Sequence, residues 1–262
     1  MSSSKKEGLP IAVVIIPTYN EAANIGTLLN AIRTDIAPHI KTWQLKTLVV
    51  DGDSTDDTAS IVAAAAAAHP GDISLYREPA RSGIGGAYMK GFSIACKELA
   101  ADAVIEFDGD FQHPPRMIPE LLHKLDEGYD CVIGSRKLPG GGEYQDRASF
   151  RHFLTSGGAR LARLILFFPG PHFKNISDPT TGLRATRARK FIDRPSMNID
   201  RLHSAHFGYK FQVLYETLAL GARYTEIPFT FQKRLAGRSK FNARTIHETL
   251  MACIKTRWHG LR

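Results

Sequence analysis

Two aspartates and a glutamine stand in the segment VIEFDGDFQHPP, directly after an apolar stretch. Asp108, Asp110 and Gln112 are spaced two residues apart, and side chains with that spacing point to the same side of an extended segment. The spacing therefore predicts that the three side chains share one ion. Carboxylate and amide oxygens are hard ligands suited to Mg²⁺ or Mn²⁺, and such an ion would bridge the phosphates of a bound nucleotide.

A second acidic segment begins at Asp51, again directly after an apolar stretch. Asp51 stands where the predicted strand ends, which is where parallel sheets bind their ligands. Asp56 and Asp57 have two open interpretations. They would either contact a ligand or stabilise the N-terminus of a helix, with Ser54 or Thr55 as its cap.

Short apolar stretches alternate with helical patterns over the first half of the chain. Such stretches, rich in β-branched residues, are typical of strands buried on both faces. The predicted strands are 11–16, 45–50, 73–76, 103–107 and 131–134, and the predicted helices are 21–34, 59–68, a segment after Gly85, and 115–127. This alternation predicts an α/β fold with a mostly parallel sheet, helices on both faces, and ligands at the carboxyl ends of the strands. The segment PTYNE follows the first strand and would lie beside the acidic loops.

The pattern changes after the strand at 131–134. The glycine-rich segment LPGGGEYQDR predicts a mobile loop, and 149–168 predicts an amphipathic helix. At the C-terminus, 242–262 places apolar side chains, Trp258 among them, beside basic residues such as Lys255. Both helices have the basic amphipathic character of membrane-surface helices, and packing against the rest of the domain is the alternative.

The chain of 262 residues has an ordinary globular composition, with 43% hydrophobic and 23% charged residues, which excludes disordered, collagenous and disulfide-scaffold proteins. Cys96, Cys131 and Cys253 are far apart and form no CxxC pair, so we expect core thiols in a reducing compartment. A polar N-terminus and the lack of a long uncharged apolar run predict neither a signal peptide nor a transmembrane helix. We therefore expect a soluble protein of the cytoplasm.

Charge is distributed unevenly along the chain. Residues 1–139 carry 13 Lys and Arg against 18 Asp and Glu, whereas residues 140–262 carry 21 against 8. The asymmetry predicts an acidic half that handles cations and a basic half that meets an anionic partner, with solvated basic faces as the alternative. We expect no nucleic acid as that partner, because such a function would leave the acidic triplet without a role.

The glycine segment RSGIGGAYMKG invites comparison with a dinucleotide-binding loop. After Gly83 and Gly85, however, the third small position of the G-x-G-x-x-G pattern is Tyr88, and no buried strand leads directly into the first glycine. The spacing argues against nicotinamide binding.

Seven segments, in their order along the chain, resemble those of the polyprenyl (dolichyl) phosphate mannose synthases among the family 2 glycosyltransferases. They are PTYNE at 17–21, VVDGDSTDDT at 49–58, RSGIGGAYMKG at 81–91, DGDFQHPP at 108–115, GSR at 134–136, DPTTGLR at 178–184 and RLAGRSKF at 234–241. The resemblance implies a GT-A fold, a nucleotide-sugar donor and a divalent metal, Mg²⁺ or Mn²⁺. It implies inverting transfer of one sugar, mannose from GDP-mannose, to a polyprenyl phosphate at the cytoplasmic face of a membrane.

The resemblance also implies a domain organisation. The glycosyltransferase domain would span 10–241, after a polar tail at 1–9 and before a basic amphipathic helix at 242–262. Within it, an acceptor loop and an interfacial helix would occupy about 137–168. Because the chain ends at Arg262, we expect it to bind the membrane surface itself or to use a small membrane subunit as an anchor.

Roles for individual residues follow from the resemblance by position. It assigns the nucleotide to Pro17, Tyr19, Glu21, Val50, Asp51, Asp53, Asp108 and Gly109, the metal to Asp108, Asp110 and Gln112, and the acceptor phosphate to Arg136, Arg151, Ser156, Arg184 and Arg234. Asp110, Arg136 and Lys240 would be the catalytic residues. One departure concerns the base: Gly52 stands where relatives usually have a second aspartate, which leaves the choice between GDP and UDP open.

A phosphate acceptor agrees with the chemistry that the residues offer. An alcohol needs a base to remove its proton, whereas a phosphate monoester is already anionic at pH 7 and attacks unaided. What the phosphate needs is positive charge, which the basic half of the chain supplies. Two alternatives stay open: a hydroxyl acceptor with Asp178 as the base, and a donor of the UDP-glucose type.

Overall fold

The computed structural model describes residues 8–144, 157, 160–234 and 243–259, with only the backbone described at 243–246. The strands are β1 (Ile11–Thr18), β2 (Gln44–Asp51), β3 (Ile73–Arg77), β4 (Ala103–Glu106), β5 (Cys131–Ser135), β6 (Gly142–Glu143), β7 (Arg184–Arg187), β8 (Tyr224–Pro228) and β9 (Thr230–Phe231). The helices are α1 (Ala22–Ala31), α2 (Thr58–Ala68), α3 (Gly83–Lys97), α4 (Met117–Asp126), α5 (160–167), α6 (His172–Asn175), α7 (Ala188–Phe191), α8 (Tyr209–Ala219) and α9 (Ala243–His259).

Seven of these strands form one sheet in the order β3-β2-β1-β4-β7-β5-β8. Neighbours pair in parallel except at β7, which is antiparallel to both β4 and β5. The predicted mostly parallel α/β sheet is confirmed. Strand β7 was not predicted, because its sequence RATR is polar and has no apolar stretch.

Both faces of the sheet are covered, as the apolar strands predict. In β1, Ala12, Val14 and Ile16 pack into the cluster that includes α1 and α4. The intervening Val13 and Ile15 pack into the cluster that includes α3. All five side chains are fully buried, which explains why this strand shows no alternation of polar and apolar residues.

The glycine segment serves close packing at the start of α3. A Cβ at Gly83 would lie 2.5 Å from the carbonyl oxygen of Ala205, and a Cβ at Gly85 would lie 2.9 Å from that of Ser204. Gly83 also has a φ of +82°, which favours glycine. These glycines let the 204–205 segment approach the helix, where the backbone N–H of Gly85 donates to Ala205 at 2.8 Å.

Several boundaries differ from the predicted ones. The helix predicted at 21–34 is α-helical only to Ala31, and a π-helical turn over Ile32–Ile36 follows it. The glycine-rich segment expected to be a mobile loop contains β6, which pairs in parallel with β9. That pairing supplies backbone hydrogen bonds that a glycine-rich sequence does not reveal.

The C-terminal helix α9 packs against α8. Cys253 is fully buried in one cluster with Phe211, Leu214 and Leu218 of α8. The apolar residues on this side of α9 therefore pack against the domain. The opposite side is exposed, with Trp258 at 81%. Among the described helices, none is long and apolar enough to cross a membrane.

Candidate active site

The loops that follow β1 and β2 are hydrogen-bonded to each other. The backbone N–H of Asn20 donates to Ser54 Oγ at 2.9 Å, and that of Thr55 donates to Asn20 Oδ1 at 2.9 Å. The backbone N–H of Glu21 donates to Thr58 Oγ1 at 2.8 Å. The PTYNE segment and the first acidic loop therefore form one unit at the carboxyl edge of the sheet.

Asp51 is fully buried within this unit. Its carboxylate accepts hydrogen bonds from Thr18 Oγ1 at 2.9 Å, from the backbone N–H of Ser54 at 2.9 Å and from Ser54 Oγ at 2.6 Å. Both carboxylate oxygens are thus used inside the protein. The geometry favours a structural role for Asp51 over the predicted contact with a nucleotide, because a buried acceptor with three donors already has its hydrogen bonds.

The open interpretation of Asp56 is resolved by its contacts. Its carboxylate accepts from the backbone N–H groups of Thr58 at 3.0 Å and of Ala22 at 3.2 Å, at the starts of α2 and α1. Burial opposes the shift, but a hydrogen bond from the Thr58 hydroxyl, together with these backbone bonds, keeps the pKa of Asp56 below its ordinary value. These contacts support the helix-start interpretation for Asp56, although the residue lies just before α2 rather than in its first turn. The residue that precedes α2 is Asp57, without a side-chain cap bond, rather than Ser54 or Thr55.

Residues predicted to hold the nucleotide meet beside this unit. Pro17 pairs with Val50 in the sheet register, and a Cβ at Gly109 would lie 3.7 Å from the carbonyl oxygen of Pro17. The guanidinium carbon of Arg81 lies 3.8 Å from the centre of the Tyr19 ring. The edge of the sheet therefore brings a planar aromatic face next to the ends of β1 and β2.

The second acidic loop is not extended, which corrects the geometric reason for grouping its side chains. Strand β4 ends at Glu106, and Phe111 has a φ of +63°. Turns rather than strand alternation place the side chains. Asp110 Oδ2 lies 2.6 Å from the Arg234 guanidinium, and Gln112 Oε1 accepts from two nitrogens of the same group, each at 3.2 Å. The oxygens of Asp110 and Gln112 thus converge on one positive group.

Asp108 is positioned by a histidine. His113 Nδ1 accepts the backbone N–H of Asp108 at 3.2 Å, and His113 Nε2 lies 3.6 Å from Asp108 Oδ2. Burial lowers the pKa of His113 to about 4, so its ring is neutral at pH 7. The ring packs edge-on against Phe107 and Phe229. His113 therefore holds the loop in place, a role that the sequence did not indicate.

A buried lysine accompanies Asp108. Lys210 of α8 is only 4% exposed, and its Nζ and Asp108 Oδ1 border the same space beside Gly182. Burial opposes the shift, but the positive charge of Lys210, with those of Arg234 and Arg136, lowers the pKa of Asp108. Sequence analysis missed Lys210. The available signal was a lysine inside the otherwise apolar run FGYKF.

Asp110 carries the opposite shift. Its burial and the neighbouring Asp108 carboxylate raise the pKa of Asp110 to about 6, although Arg234 acts to lower it. Among the described residues there is no group of three or more His, Cys, Asp or Glu side chains arranged for a metal. The donor set of Asp108, Asp110 and Gln112 nevertheless fits a hard divalent cation, which would relieve the repulsion between the two carboxylates.

Arg136 is held by two carboxylates. Its Nε and Nη2 atoms donate to Asp178 at 2.7 and 2.8 Å, and Nη1 lies 3.4 Å from Glu143. Burial opposes the shift, but the charge and hydrogen bonds of Arg136 lower the pKa of Asp178 to about 2. A carboxylate of such low pKa is a weak base. The arrangement therefore speaks against Asp178 as the base of a hydroxyl acceptor.

Arg184 lies in the core, beneath the site. Its guanidinium is 2% exposed and lies 2.6 Å from Glu106, and it also donates to the backbone carbonyl of Lys210 at 3.2 Å. Tyr209 donates its hydroxyl to the other oxygen of Glu106 at 3.1 Å. Because its charge is compensated in the interior, the structure favours Arg184 as a structural residue rather than the predicted ligand of an acceptor phosphate.

Residues 13–191 match the family described as Glycosyl transferase family 2. The chain belongs to this family. The glycosyltransferase is 32% identical to the undecaprenyl-phosphate mannosyltransferase of Micrococcus luteus over 254 residues. These aligned residues cover 95% of this chain and 97% of that relative. It is also 32% identical to the dolichol-phosphate mannosyltransferase of Pyrococcus furiosus, over 94% of this chain and 64% of that relative.

Solved structures agree on the fold of the glycosyltransferase. The mannosyl-3-phosphoglycerate synthase of Rubrobacter xylanophilus matches with a TM-score of 0.67 and 20% identity, over 97% of this chain and 76% of that one. The glucosyl-3-phosphoglycerate synthase of Mycobacterium tuberculosis matches with a TM-score of 0.63 and 20% identity, over 95% and 80%. The latter was solved with Mn²⁺, UDP-glucose and phosphoglyceric acid. The expected GT-A fold is confirmed.

The remaining predicted residues divide into two groups. Glu21 accepts from Asn24 Nδ2 at 2.9 Å at the start of α1, and Asp53 forms an exposed ion pair with Arg77 at 3.0 Å. Arg151, Ser156 and Lys240 lie outside the described residues. Their predicted roles in the glycosyltransferase stay predictions.

Proposed function

We propose that this glycosyltransferase transfers a single mannose from GDP-mannose to a polyprenyl phosphate, with inversion, at the cytoplasmic face of a membrane. The observation that carries the proposal is the 32% identity to the Micrococcus luteus undecaprenyl-phosphate mannosyltransferase over nearly the whole of both chains. The dolichol-phosphate mannosyltransferase of Saccharomyces cerevisiae is also similar, at 26% identity over 245 residues.

The lipid phosphate acceptor has support beyond the mannosyltransferases. The undecaprenyl-phosphate 4-deoxy-4-formamido-L-arabinose transferase of Klebsiella pneumoniae is 32% identical over 230 residues. Its name gives a different sugar with the same class of acceptor. Both carboxylate oxygens of Asp178 accept hydrogen bonds from Arg136, which fits an acceptor that needs no base.

The transfer would proceed by direct displacement. An oxygen of the acceptor phosphate attacks C1 of the sugar, the new C1–O bond forms, and the bond from C1 to the diphosphate breaks with its electron pair leaving on the nucleoside diphosphate. No proton has to be removed, because the acceptor is already anionic. Arg136 would stabilise phosphate charge close to the reacting centre, for which its guanidinium would exchange a contact with Asp178 or Glu143 for the phosphate.

A divalent ion, Mg²⁺ or Mn²⁺, would be held by Asp108, Asp110 and Gln112. When bound, it would neutralise charge on the leaving diphosphate. Arg234 now lies against two of these side chains, so binding of the ion would require its guanidinium to move away from them. Arg234 would then be available to the phosphates, together with the predicted Lys240, Arg151 and Ser156.

Contact with the membrane is proposed for a patch of exposed apolar side chains. The patch consists of Leu161 and Leu164 of α5, Phe168 just after it, and Trp258 of α9, with exposures from 43% to 81%. Arg257 donates to the carbonyl of Phe168 at 3.4 Å, which joins α9 to the end of α5. Apolar and aromatic side chains flanked by basic residues are typical of surfaces that lie in the membrane interface.

Transfer is tested with purified protein, Mn²⁺, a polyprenyl phosphate and GDP-mannose labelled in the sugar. We expect label in the organic phase, and none with the Asp110→Asn variant. Parallel reactions replace the donor with UDP-glucose or the acceptor with a polyprenyl alcohol. Label that enters the organic phase only from UDP-glucose would overturn the donor, and label transferred only to the alcohol would overturn the acceptor.

The membrane patch is tested by co-sedimentation with vesicles that contain anionic lipid. We expect the Phe168→Ser, Trp258→Ser double variant to bind about tenfold more weakly, because each side chain loses apolar burial in the interface. Ile199→Ser is the matched control, since Ile199 is 49% exposed but belongs to another segment of the chain. Equal binding by all three proteins would contradict the assignment of the patch.

A further inference from the structure

A carboxylate that no motif singled out lies next to the proposed nucleotide site. Glu78 follows β3 directly and is only 6% exposed. Its backbone N–H donates to the carbonyl of Asp51 at 2.8 Å, and its Oε1 accepts from the hydroxyl of Ser82. Its Oε2 is buried and has no hydrogen-bond partner among the described residues. A buried acceptor without a partner is costly, which suggests that a ligand supplies the missing donor.

This Oε2 atom faces Gly52. A Cβ built at Gly52 would lie 3.5 Å from Glu78 Oε2, 3.5 Å from Arg81 Cγ and 3.3 Å from the carbonyl oxygen of Thr18. The side chain of an aspartate at position 52 would therefore point into the neighbourhood of the Glu78 carboxylate. Glycine at this position avoids a close approach of two negative charges, so Gly52 and Glu78 are compatible with each other, whereas an aspartate in place of the glycine would repel Glu78.

Neighbouring carboxylates do not offer the same acceptor. Both oxygens of Asp51 are occupied by Thr18 and Ser54. Asp53 points to solvent, where it pairs with Arg77. Glu78 is thus the buried acid of these loops that keeps an acceptor oxygen, and the Arg81 side chain beside it reaches over the ring of Tyr19.

We propose that Glu78 determines the choice of base, by accepting hydrogen bonds from the N1–H and the 2-amino group of guanine. Guanine presents these donors side by side, and a carboxylate is their natural acceptor. Uracil presents one N–H between two carbonyl oxygens, and these oxygens are repelled by a carboxylate. Gly52 provides the room for this contact. The inference rests on the proposed function for its nucleotide-sugar donor and adds the residue that selects it.

Binding of nucleoside diphosphates tests the inference without turnover. Isothermal titration with Mn²⁺ gives the Kd of GDP, of inosine diphosphate, which lacks the 2-amino group, and of UDP. We expect wild-type protein to bind GDP about tenfold more tightly than inosine diphosphate and about a hundredfold more tightly than UDP, because a site that pairs with a donor rejects analogues that lack it. Glu78→Gln should weaken GDP by about tenfold or more and bring the ratio of GDP to inosine diphosphate close to one.

Glu98→Gln is the matched control, since Glu98 is an exposed acid at the far end of α3 and the same chemical change there should leave all three affinities unaltered. A second variant, Gly52→Asp, tests the inference independently if Glu78→Gln fails to fold. It places a carboxylate against Glu78 and should weaken GDP by about tenfold while UDP changes little.

The outcomes separate the inference from the proposed function. If mannose is transferred from GDP-mannose while Glu78→Gln keeps the wild-type ratio of GDP to inosine diphosphate, the role of Glu78 is overturned and the proposed function stands. If wild-type protein binds UDP more tightly than GDP, both the proposed donor and the role of Glu78 are overturned. Unchanged GDP affinity in Gly52→Asp would also count against the inference.

Discussion

The tripeptide Asp-Gly-Asp occurs twice, at 51–53 where β2 ends and at 108–110 after β4, and its two copies have different partners. In the first copy, the leading aspartate takes hydrogen bonds from its own loop and from the end of β1. In the second copy, the carboxylates lie close enough to raise the pKa of Asp110 to about 6 through burial and through Asp108. Their positive partners, Lys210 and Arg234, come from distant parts of the chain.

The difference shows how to separate a structural acid from one available for chemistry. An acid whose oxygens are all used by nearby N–H and O–H groups stabilises its loop. Asp110 also has a partner for each oxygen, the backbone N–H of Gln112 at 3.0 Å and Arg234 at 2.6 Å, but burial and Asp108 raise its pKa, so a cation would relieve charge there. The same tripeptide is therefore structural at the end of β2 and a candidate metal site after β4.

The largest effect is expected for Asp110→Asn. Transfer of labelled mannose should fall at least about a thousandfold, which corresponds to about 4 kcal/mol of transition-state stabilisation, because a metal ligand is lost. The free energy of unfolding, measured in urea, should change by no more than about 1 kcal/mol, since repulsion from Asp108 is relieved as the contact with Arg234 weakens. Asp35→Asn, an exposed acid remote from the site, is the control. Activity within tenfold of wild type would remove Asp110 from the metal site.

For Asp51→Asn we expect the reverse pattern. The amide would present N–H groups to the donors of Thr18 and Ser54, so the free energy of unfolding should fall by about 2 kcal/mol. Asp57→Asn, exposed and without a cap bond, should change it by less than about 0.5 kcal/mol. A variant as stable as wild type that no longer binds GDP would instead restore Asp51 as a nucleotide ligand.

Asp178 is a third acid whose contribution to stability can be compared with those of Asp51 and Asp110, in this case through its dependence on pH. Its pKa is lowered from 3.8 to about 2, so its ionised form contributes about 2 kcal/mol of stability at pH 7. Because the folded pKa lies below the unfolded one, this contribution is present above about pH 4 and is lost as the pH falls towards 2. Urea unfolding of wild type and Asp178→Asn should therefore differ at pH 7 and converge at low pH. A difference that does not depend on pH would contradict the ion pair with Arg136.

The smallest effect is expected for Asp53→Asn. Asp53 occupies the same place in its tripeptide as Asp110, but its ion pair with Arg77 is about half exposed on both sides. Exposed pairs contribute little, so the free energy of unfolding should change by less than about 0.5 kcal/mol. Urea unfolding of wild type and the variant, at low and at high salt, measures this change in the free energy of unfolding. A loss above about 1 kcal/mol would mean that Asp53 has structural partners like those of Asp51.

Much of the fold and part of the site could be predicted from sequence. All five predicted strands exist, and in β1, β4 and β5 the apolar residues are buried on both faces, which local composition records. The polar strand β7 could not be found in that way. Asp110 and Gln112 do lie together, but a left-handed residue at Phe111 rather than an extended segment brings them to the Arg234 guanidinium, and their sharing of a metal ion stays a prediction.

Individual charged residues were less predictable. Arg184 belongs to a recognised motif, yet its guanidinium is neutralised by Glu106 in the core. Lys210 and Glu78 belong to no recognised site motif, yet one lies beside Asp108 and the other beside Gly52. A motif records which residue types recur, but burial and pairing depend on elements that the motif does not contain.

By itself, the sequence determined the order of the first five strands and of the helices between them, and the edge of the sheet at which polar side chains collect, because both follow from where apolar and polar residues fall along the chain. Only the tertiary structure decided which acids are balanced by cationic side chains and which by nearby N–H and O–H groups. The groups that neutralise them come from far along the chain, as Arg234 does for Asp110. Electrostatic partners act through distance in space, which spacing in the sequence does not measure.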